Sequence, residues 1–284
     1  MGESNQLVQA QDLAARLADP DWIVFDCRFN LLDPGAGKRA YDSGHIPGAV
    51  YASLDLDLAS PRGPATGRHP LPDRQRFSAW VAAAGADSDR RVVAYDDMGG
   101  QFAARLWWLL RWIGHRKAAL LDGGWQAWEA AGLPKSTERP APRQAGTCLD
   151  RDDMPSVSTA EIESALGTDR WHILDARAPA RFRGAEEPID PVAGHVPGAH
   201  SAPSAALLAA DGRFRRPAEL REFFHARGVR ADTRNVVTMC GSGVTGCHLV
   251  FALELAGLAR GSLYAGSWSE WIRSPQRPVA TGDP

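Results

Sequence analysis

The chain has 284 residues, length for two domains of about 140 each, and its 44% hydrophobic and 23% charged content is that of an ordinary soluble globular protein. A net charge of −2 excludes the basic footprint of a nucleic-acid binder, and no apolar run reaches the roughly 18 residues of a membrane span. The opening Met1-Gly2-Glu3-Ser4-Asn5-Gln6 lacks the regions of a secretory signal, and Cys27, Cys148, Cys240 and Cys247 include no C-x-x-C pair, so free thiols in a reducing cytoplasm, with no metal and no cofactor, are expected.

In chain order, residues 7–19 read as a short helix and Trp22-Ile23-Val24-Phe25-Asp26 as a strand ending on an acid. Gly44-His45-Ile46-Pro47-Gly48-Ala49 follows, then a helical pattern from Asp73 to Ala84 and a strand over Arg91-Val92-Val93-Ala94-Tyr95-Asp96. A helix rich in Trp and Leu spans Gln101 to Ile113, and Asp122-Gly123-Gly124-Trp125-Gln126-Ala127-Trp128 comes next. Strands alternating with helices predict an α/β fold, a mainly parallel sheet with helices on both faces. Between 134 and 155, Pro134, Pro140, Pro142 and Pro155 stand with little apolar periodicity, which reads as a linker.

The same order then returns. Trp171-His172-Ile173-Leu174-Asp175-Ala176-Arg177 echoes Trp22 to Arg28, and Gly194-His195-Val196-Pro197-Gly198-Ala199 echoes Gly44 to Ala49. Asn235 to Cys240 echoes Arg91 to Asp96, and Gly266-Ser267-Trp268-Ser269-Glu270-Trp271 echoes Gly123 to Trp128. The offsets, 149, 150, 144 and 143 residues, drift only by loop-sized insertions. A repeat this long is a domain duplication. It divides the chain into 1–135, a linker at 136–155, and 156–284. Asp96 stands where Cys240 stands, so only the second half keeps a nucleophile.

The stretch Val236-Val237-Thr238-Met239-Cys240-Gly241-Ser242-Gly243-Val244-Thr245-Gly246 is an apolar strand, a glycine-broken loop and the start of an apolar helix. That arrangement makes a cradle of backbone N–H groups for an anion, and a thiolate or persulfide is one. Placed at the strand end, Cys240 is expected to be exposed. The loop donors and helix terminus are expected to depress its pKa below the free-thiol value of about 8.5. Gly241 and Gly243 allow successive N–H groups to converge, and Ser242 and Thr245 add hydroxyls. A buried inert cysteine beside a helix cap is the structural alternative. A phosphatase loop would need arginine at the sixth position after the cysteine, where this chain has Gly246.

The G-H-[IV]-P-G-A and G-x-W-x-x-W segments, each present twice, resemble those of two-domain rhodanese-type sulfurtransferases over nearly the whole length. The loop Cys240 to Thr245 is similar to that of 3-mercaptopyruvate sulfurtransferases. Thiosulfate sulfurtransferases usually carry Arg-Lys after the cysteine, where this chain has Gly241-Ser242. The resemblance implies rhodanese-like folds in both halves, a catalytic second domain, and an active site at the interface. The implied reaction moves sulfur from 3-mercaptopyruvate, or alternatively thiosulfate, through a Cys240 persulfide to a thiol, thioredoxin or cyanide. The loop residues Gly241, Gly243, Val244 and Thr245 would hold the substrate. A non-catalytic binding module is the competing class.

The resemblance also points to Arg181 for a donor carboxylate, with Arg177 and Arg183 as neighbouring alternatives. Mercaptopyruvate enzymes often have a second arginine after a Glu-Pro pair; here Glu187-Pro188 is followed by Ile189-Asp190. Asp57 and His69 align with residues proposed to work with the loop serine. Asp57 would orient His69, and His69 would polarise Ser242; a purely structural part for both is the alternative. His45 and His195 occur in both halves, so turn structure explains them. Cys247 reads as packed core.

Overall fold

A computed structural model describes residues 6–283. Met1–Asn5, within the opening stretch read above, and Pro284 lie outside them. The chain packs as two compact units. Unit one takes the chain up to Ser60, Leu71–Met154 and Ala210–Phe214; unit two takes Pro61–Pro70, Pro155–Ala209 and the chain from Arg215. Among the described residues no helix is long and apolar enough to cross a membrane.

Unit one holds strands β1 (Leu7–Val8), β2 (Trp22–Asp26), β3 (Val50–Tyr51), β4 (Arg91–Tyr95) and β5 (Ala118–Leu121), all parallel, in the order β1-β5-β4-β2-β3. Its helices are α1 (Ala10–Ala14), α2 (Ala36–Ser43), α3 (Arg74–Ala83), α4 (Ala103–Trp112) and α5 (Gly124–Ala130). Unit two repeats the pattern with β6 (Ser156–Val157), β7 (His172–Asp175), β8 (His200–Ser201), β9 (Val236–Met239) and β10 (Ser262–Tyr264), again parallel, in the order β6-β10-β9-β7-β8. Helices α6 (Thr159–Ser164), α7 (Pro179–Phe182), α8 (Pro217–His225), α9 (Val244–Leu255) and α10 (Ser267–Trp271) accompany it. Identical strand orders are what a duplicated α/β domain requires.

The central strands carry the apolar runs, because a strand between two parallel neighbours is covered on both faces. All four residues of β9 are buried. Trp107, Trp108 and Trp128 in unit one, and Trp268 and Trp271 in unit two, are among the largest fully buried side chains. The helix expected over 7–19 is corrected. Leu7 and Val8 pair with Leu120 and Leu121 as an edge strand, and the helix shortens to Ala10–Ala14. The proline-rich stretch carries no helix or strand before β6, yet it is tied to unit one. Gly146 donates to the Ala82 carbonyl at 2.8 Å, Leu149 to Ser78 Oγ at 2.8 Å, and Arg151 to the Ile113 carbonyl at 3.1 Å.

Both units use the same internal clamp. At the end of β2, Arg28 Nε and Nη2 bond the Asp26 carboxylate at 2.6–3.1 Å, and Nη2 reaches the Gly44 carbonyl at 2.7 Å. At the end of β7, Arg177 does the same to Asp175 at 2.7–3.1 Å and to the Gly194 carbonyl at 2.8 Å. The guanidinium of Arg28 lies 4.4 Å from the Trp125 ring centre, and that of Arg177 lies 4.7 Å from Trp268. The Gly-His-x-Pro-Gly histidines serve the same frame. His45 Nδ1 is 2.8 Å from the Tyr41 carbonyl, and His195 Nδ1 is 2.8 Å from the Phe182 carbonyl.

Candidate active site

Strand β9 delivers Cys240 to its C-terminal end, where the loop Cys240–Gly243 turns into α9. The turn depends on Gly243, whose φ of +79° is left-handed and where a Cβ would lie 2.3 Å from the Ala265 carbonyl oxygen. Two N–H groups then point at the sulfur: Ser242 N lies 3.4 Å and Gly243 N 3.1 Å from Cys240 Sγ. Opposite the loop, the start of α10 locks it. Cys240 N donates to Ser267 Oγ at 3.1 Å, Trp268 N to the Cys240 carbonyl at 3.0 Å, and Ser269 N to the Gly241 carbonyl at 2.9 Å. Ser267 adopts φ +53°, a left-handed conformation that costs a non-glycine residue on the order of 1 kcal/mol or more. The same position in unit one is Gly124.

We expect Gly243→Ala to lower the stability of unit two by at least about 2 kcal/mol, since strain and clash add. A urea midpoint unchanged from the parent would contradict this account of the loop.

The cradle in unit one is filled by a side chain. Asp96 Oδ1 accepts the N–H groups of Met98 and Gly100, each at 2.8 Å, and Oδ2 those of Phe102 and Ala103 at 2.7 and 2.8 Å. Phe102 and Ala103 open α4, so the carboxylate sits where a helix end favours an anion. Burial pushes the Asp96 pKa up, and the four donors oppose that rise. In the same unit, burial raises the Cys27 thiol well above its ordinary value, and Asp96, Asp26 and Asp57 add to the rise. Cys27 is therefore held as a neutral thiol.

Arg68 and Arg181 stand beside Gly241. A Cβ on that glycine would meet Arg68 Nη2 at 2.8 Å and both terminal nitrogens of Arg181 at 3.7 Å. Arg181 is forked on Glu187, with contacts of 2.7–3.2 Å, and its Nη2 also donates to Asp190 Oδ2 at 3.1 Å. Arg68 Nη1 pairs with Asp190 Oδ1. The backbone N–H groups of Ile189 and Asp190 donate to Glu187 at 3.1 and 3.0 Å. Burial alone would raise the Glu187 pKa, but the Arg181 bond and these N–H groups outweigh it and hold the carboxyl below its ordinary value.

His69 arrives on the same segment as Arg68, and its Nδ1 lies 2.8 Å from Ser242 Oγ. Gly67 N donates to Glu270 at 3.2 Å and Arg68 N to Ser269 Oγ at 3.0 Å, which pins the segment to α10.

The remaining candidates are placed as follows. Val244 is buried and Thr245 half-buried in the first turn of α9. Arg177 is turned into the core, so the substrate contact expected of it gives way to the clamp on Asp175. Removing one partner of such a buried pair costs about 3–5 kcal/mol, whereas exposed pairs contribute about 0–1. The side chain of Arg183 is 42% exposed and lies 3.7 Å from Asp283. Asp57 caps a turn of unit one, accepting the Ser53 N–H at 2.8 Å, and burial raises its pKa. Cys240 itself is only 2% exposed, contrary to the expected exposure, because the loop closes around the sulfur and the start of α10 packs against its backbone. Cys247 is buried and donates to the Gly243 carbonyl at 3.3 Å, as core packing predicts.

A profile of the rhodanese-like domain matches residues 9–131 and again 158–274. The chain belongs to the rhodanese family. It is similar to a probable 3-mercaptopyruvate sulfurtransferase of Pseudomonas aeruginosa, at 51% identity over 284 residues covering 99% of each chain. A putative thiosulfate sulfurtransferase, SseB, of Mycobacterium tuberculosis is 39% identical over 281 residues, 97% of each chain. Among solved structures, the 3-mercaptopyruvate sulfurtransferase from Leishmania major superposes with a TM-score of 0.85 at 30% identity, over 98% of this chain and 77% of that one. As a rhodanese, the chain carries its nucleophile-type loop in the second domain and a carboxylate-plugged copy in the first. The sequence does not single out Arg68 or the carboxylates Glu187 and Asp190, because what sets them apart is their pairing in the fold. The signal available was the Arg68-His69 pair itself, since His69 had been singled out and its neighbour had not.

Proposed function

We propose that this rhodanese is a sulfurtransferase that takes sulfur from 3-mercaptopyruvate onto Cys240 and passes it to a thiol, thioredoxin or cyanide. The observation that carries this reading is Cys240 Sγ receiving two loop N–H groups beside the guanidiniums of Arg68 and Arg181. The Cys240 thiolate attacks the donor sulfur and a sulfur–sulfur bond forms. The carbon–sulfur bond breaks, its electron pair passes to carbon, and protonation gives pyruvate. The loop N–H groups then hold the anionic persulfide. An acceptor thiolate attacks the outer sulfur and returns the Cys240 thiolate, completing a ping-pong cycle.

The His69–Ser242 pair is suited to polarise the donor carbonyl or supply the proton. Thiosulfate is the second donor reading, supported by the 39% identical relative of that name. A cytoplasmic setting suits four free cysteines of which one must stay reduced to act.

The test is to incubate the protein with each donor, follow release of pyruvate or thiocyanate, and weigh the intact protein. The reading predicts a mass gain of one sulfur atom on the Cys240 peptide. If neither donor loads that residue, the non-catalytic module replaces it. In the same assay Arg181→Ala is expected to raise KM for 3-mercaptopyruvate about tenfold or more with a smaller change in kcat, as loss of a charge-assisted contact does. An unchanged KM removes Arg181 from the substrate site.

A further inference from the structure

Where mercaptopyruvate enzymes often have a second arginine after Glu-Pro, this chain reads Ile189-Asp190. Asp190 is buried, with 4% of its side chain exposed, and a lone carboxylate there beside a substrate anion would be unfavourable. It is not alone. Its two oxygens engage two different arginines, Oδ1 with Arg68 and Oδ2 with Arg181. Arg68 comes from the 61–70 segment of unit two, more than 100 residues away in sequence, and its side chain is only 15% exposed. The Arg68 Nε is buried with no hydrogen-bond partner, and Nη2 is the nitrogen that approaches Gly241. A guanidinium whose buried Nε is unpaired and whose Nη2 stands beside the residue that follows Cys240 is a binding group waiting for an acceptor.

We propose that Arg68 is the second carboxylate-binding cation of this site, and that Asp190 is the positioning residue that aims it. The inference rests on the sulfurtransferase reading of Cys240 and names its donor class: a monoanionic 2-oxo acid bearing a terminal thiol. Charge supports that class. The quartet of Arg68, Arg181, Glu187 and Asp190 is neutral before substrate arrives, so two guanidiniums already half-satisfied by carboxylates suit one further negative charge better than two. Arg68 and Arg181 both approach the Cβ position of Gly241, where they converge on a donor carboxylate whose sulfur is directed to Cys240.

The experiment compares Arg68→Ala and Arg68→Lys with the parent on 3-mercaptopyruvate and on its carboxylate-free analogue 1-mercaptopropan-2-one, following sulfur loading of Cys240 and turnover. With 3-mercaptopyruvate, Arg68→Ala is expected to raise KM at least about tenfold while kcat falls less, and Arg68→Lys to recover part of the loss. With the uncharged analogue the variants and the parent are expected to agree within about twofold, because the contact that Arg68 makes is absent from both. A purely structural arginine would shift both donors alike, and that result overturns the proposal, as does an unchanged KM for 3-mercaptopyruvate. If Arg68→Ala does not fold, Arg68→Gln keeps the stem and an N–H for Asp190 and is read the same way. A parent protein that neither donor loads on Cys240 overturns the sulfurtransferase reading itself; a loaded parent with an indifferent Arg68 overturns only this inference.

Discussion

Cys240→Ser will end sulfur transfer: no sulfur adduct on the 240 peptide, and turnover lower by at least about a thousandfold, the scale of losing a covalent nucleophile. The loss is chemical. Serine has nearly the same shape, can accept the same Ser242 and Gly243 N–H groups, and leaves the Cys240 backbone bonds to Ser267 and Trp268 untouched. A hydroxyl at neutral pH is almost wholly protonated and does not hold a transferable sulfur. The thermal midpoint should therefore stay within a few degrees of the parent. Mass spectrometry of donor-treated protein decides the matter. An adduct that survives the substitution, or that maps to Cys27, Cys148 or Cys247, would move the nucleophile elsewhere.

Asp96→Ala will be the most damaging single change in unit one. It removes an acceptor from four N–H groups at once: Met98, Gly100, Phe102 and Ala103. Each buried donor left unpaired costs about 1–3 kcal/mol, and a water entering the gap recovers part of that, so the expected loss is about 4 kcal/mol. Set against the 5–15 kcal/mol of a typical domain, roughly, that brings unit one close to unfolding at ambient temperature. Asp96→Asn should be milder, because one oxygen remains while the amide sets N–H donors against Phe102 and Ala103 or against Met98 and Gly100. Urea unfolding followed by tryptophan fluorescence would register the change, with Trp107, Trp108 and Trp128 buried in this unit. A loss under about 1 kcal/mol for the alanine variant would mean that the loop repacks and the carboxylate is not what holds it.

The two cradles show how one backbone device serves two ends. In unit two a single sulfur takes two donors. In unit one a carboxylate takes four and is saturated. With aspartate at the loop's first residue the cradle becomes a fold element, because the carboxylate satisfies N–H groups that would otherwise lack an acceptor.

Much of this was legible in the sequence by itself. The duplication, the α/β class, the parallel strands, the glycine-dependent loop, Cys240 and its degenerate twin Asp96 all follow from local patterns: apolar runs, turn residues and short motifs that occur twice in one order. Such features depend on residues close along the chain, and the repeat supplies its own control. The buried clamps were half visible, as an Asp-x-Arg repeated after each strand, but repetition alone did not say that Arg177 turns inward; only packing against Trp268 and the Gly194 carbonyl decided that. In the seven-residue run from Arg177 to Arg183 the resemblance points to Arg181 ahead of its two neighbours, and only the fold shows it paired with Glu187 beside Gly241. The pairing of Arg68 with Asp190, 122 positions away, is not written in any local pattern. The burial of Cys240 belongs to the same class. Chemistry carried by one segment was written in the chain, while charge balance, access and the pairing of distant side chains were decided by the tertiary structure, because they depend on distances that no linear spacing encodes.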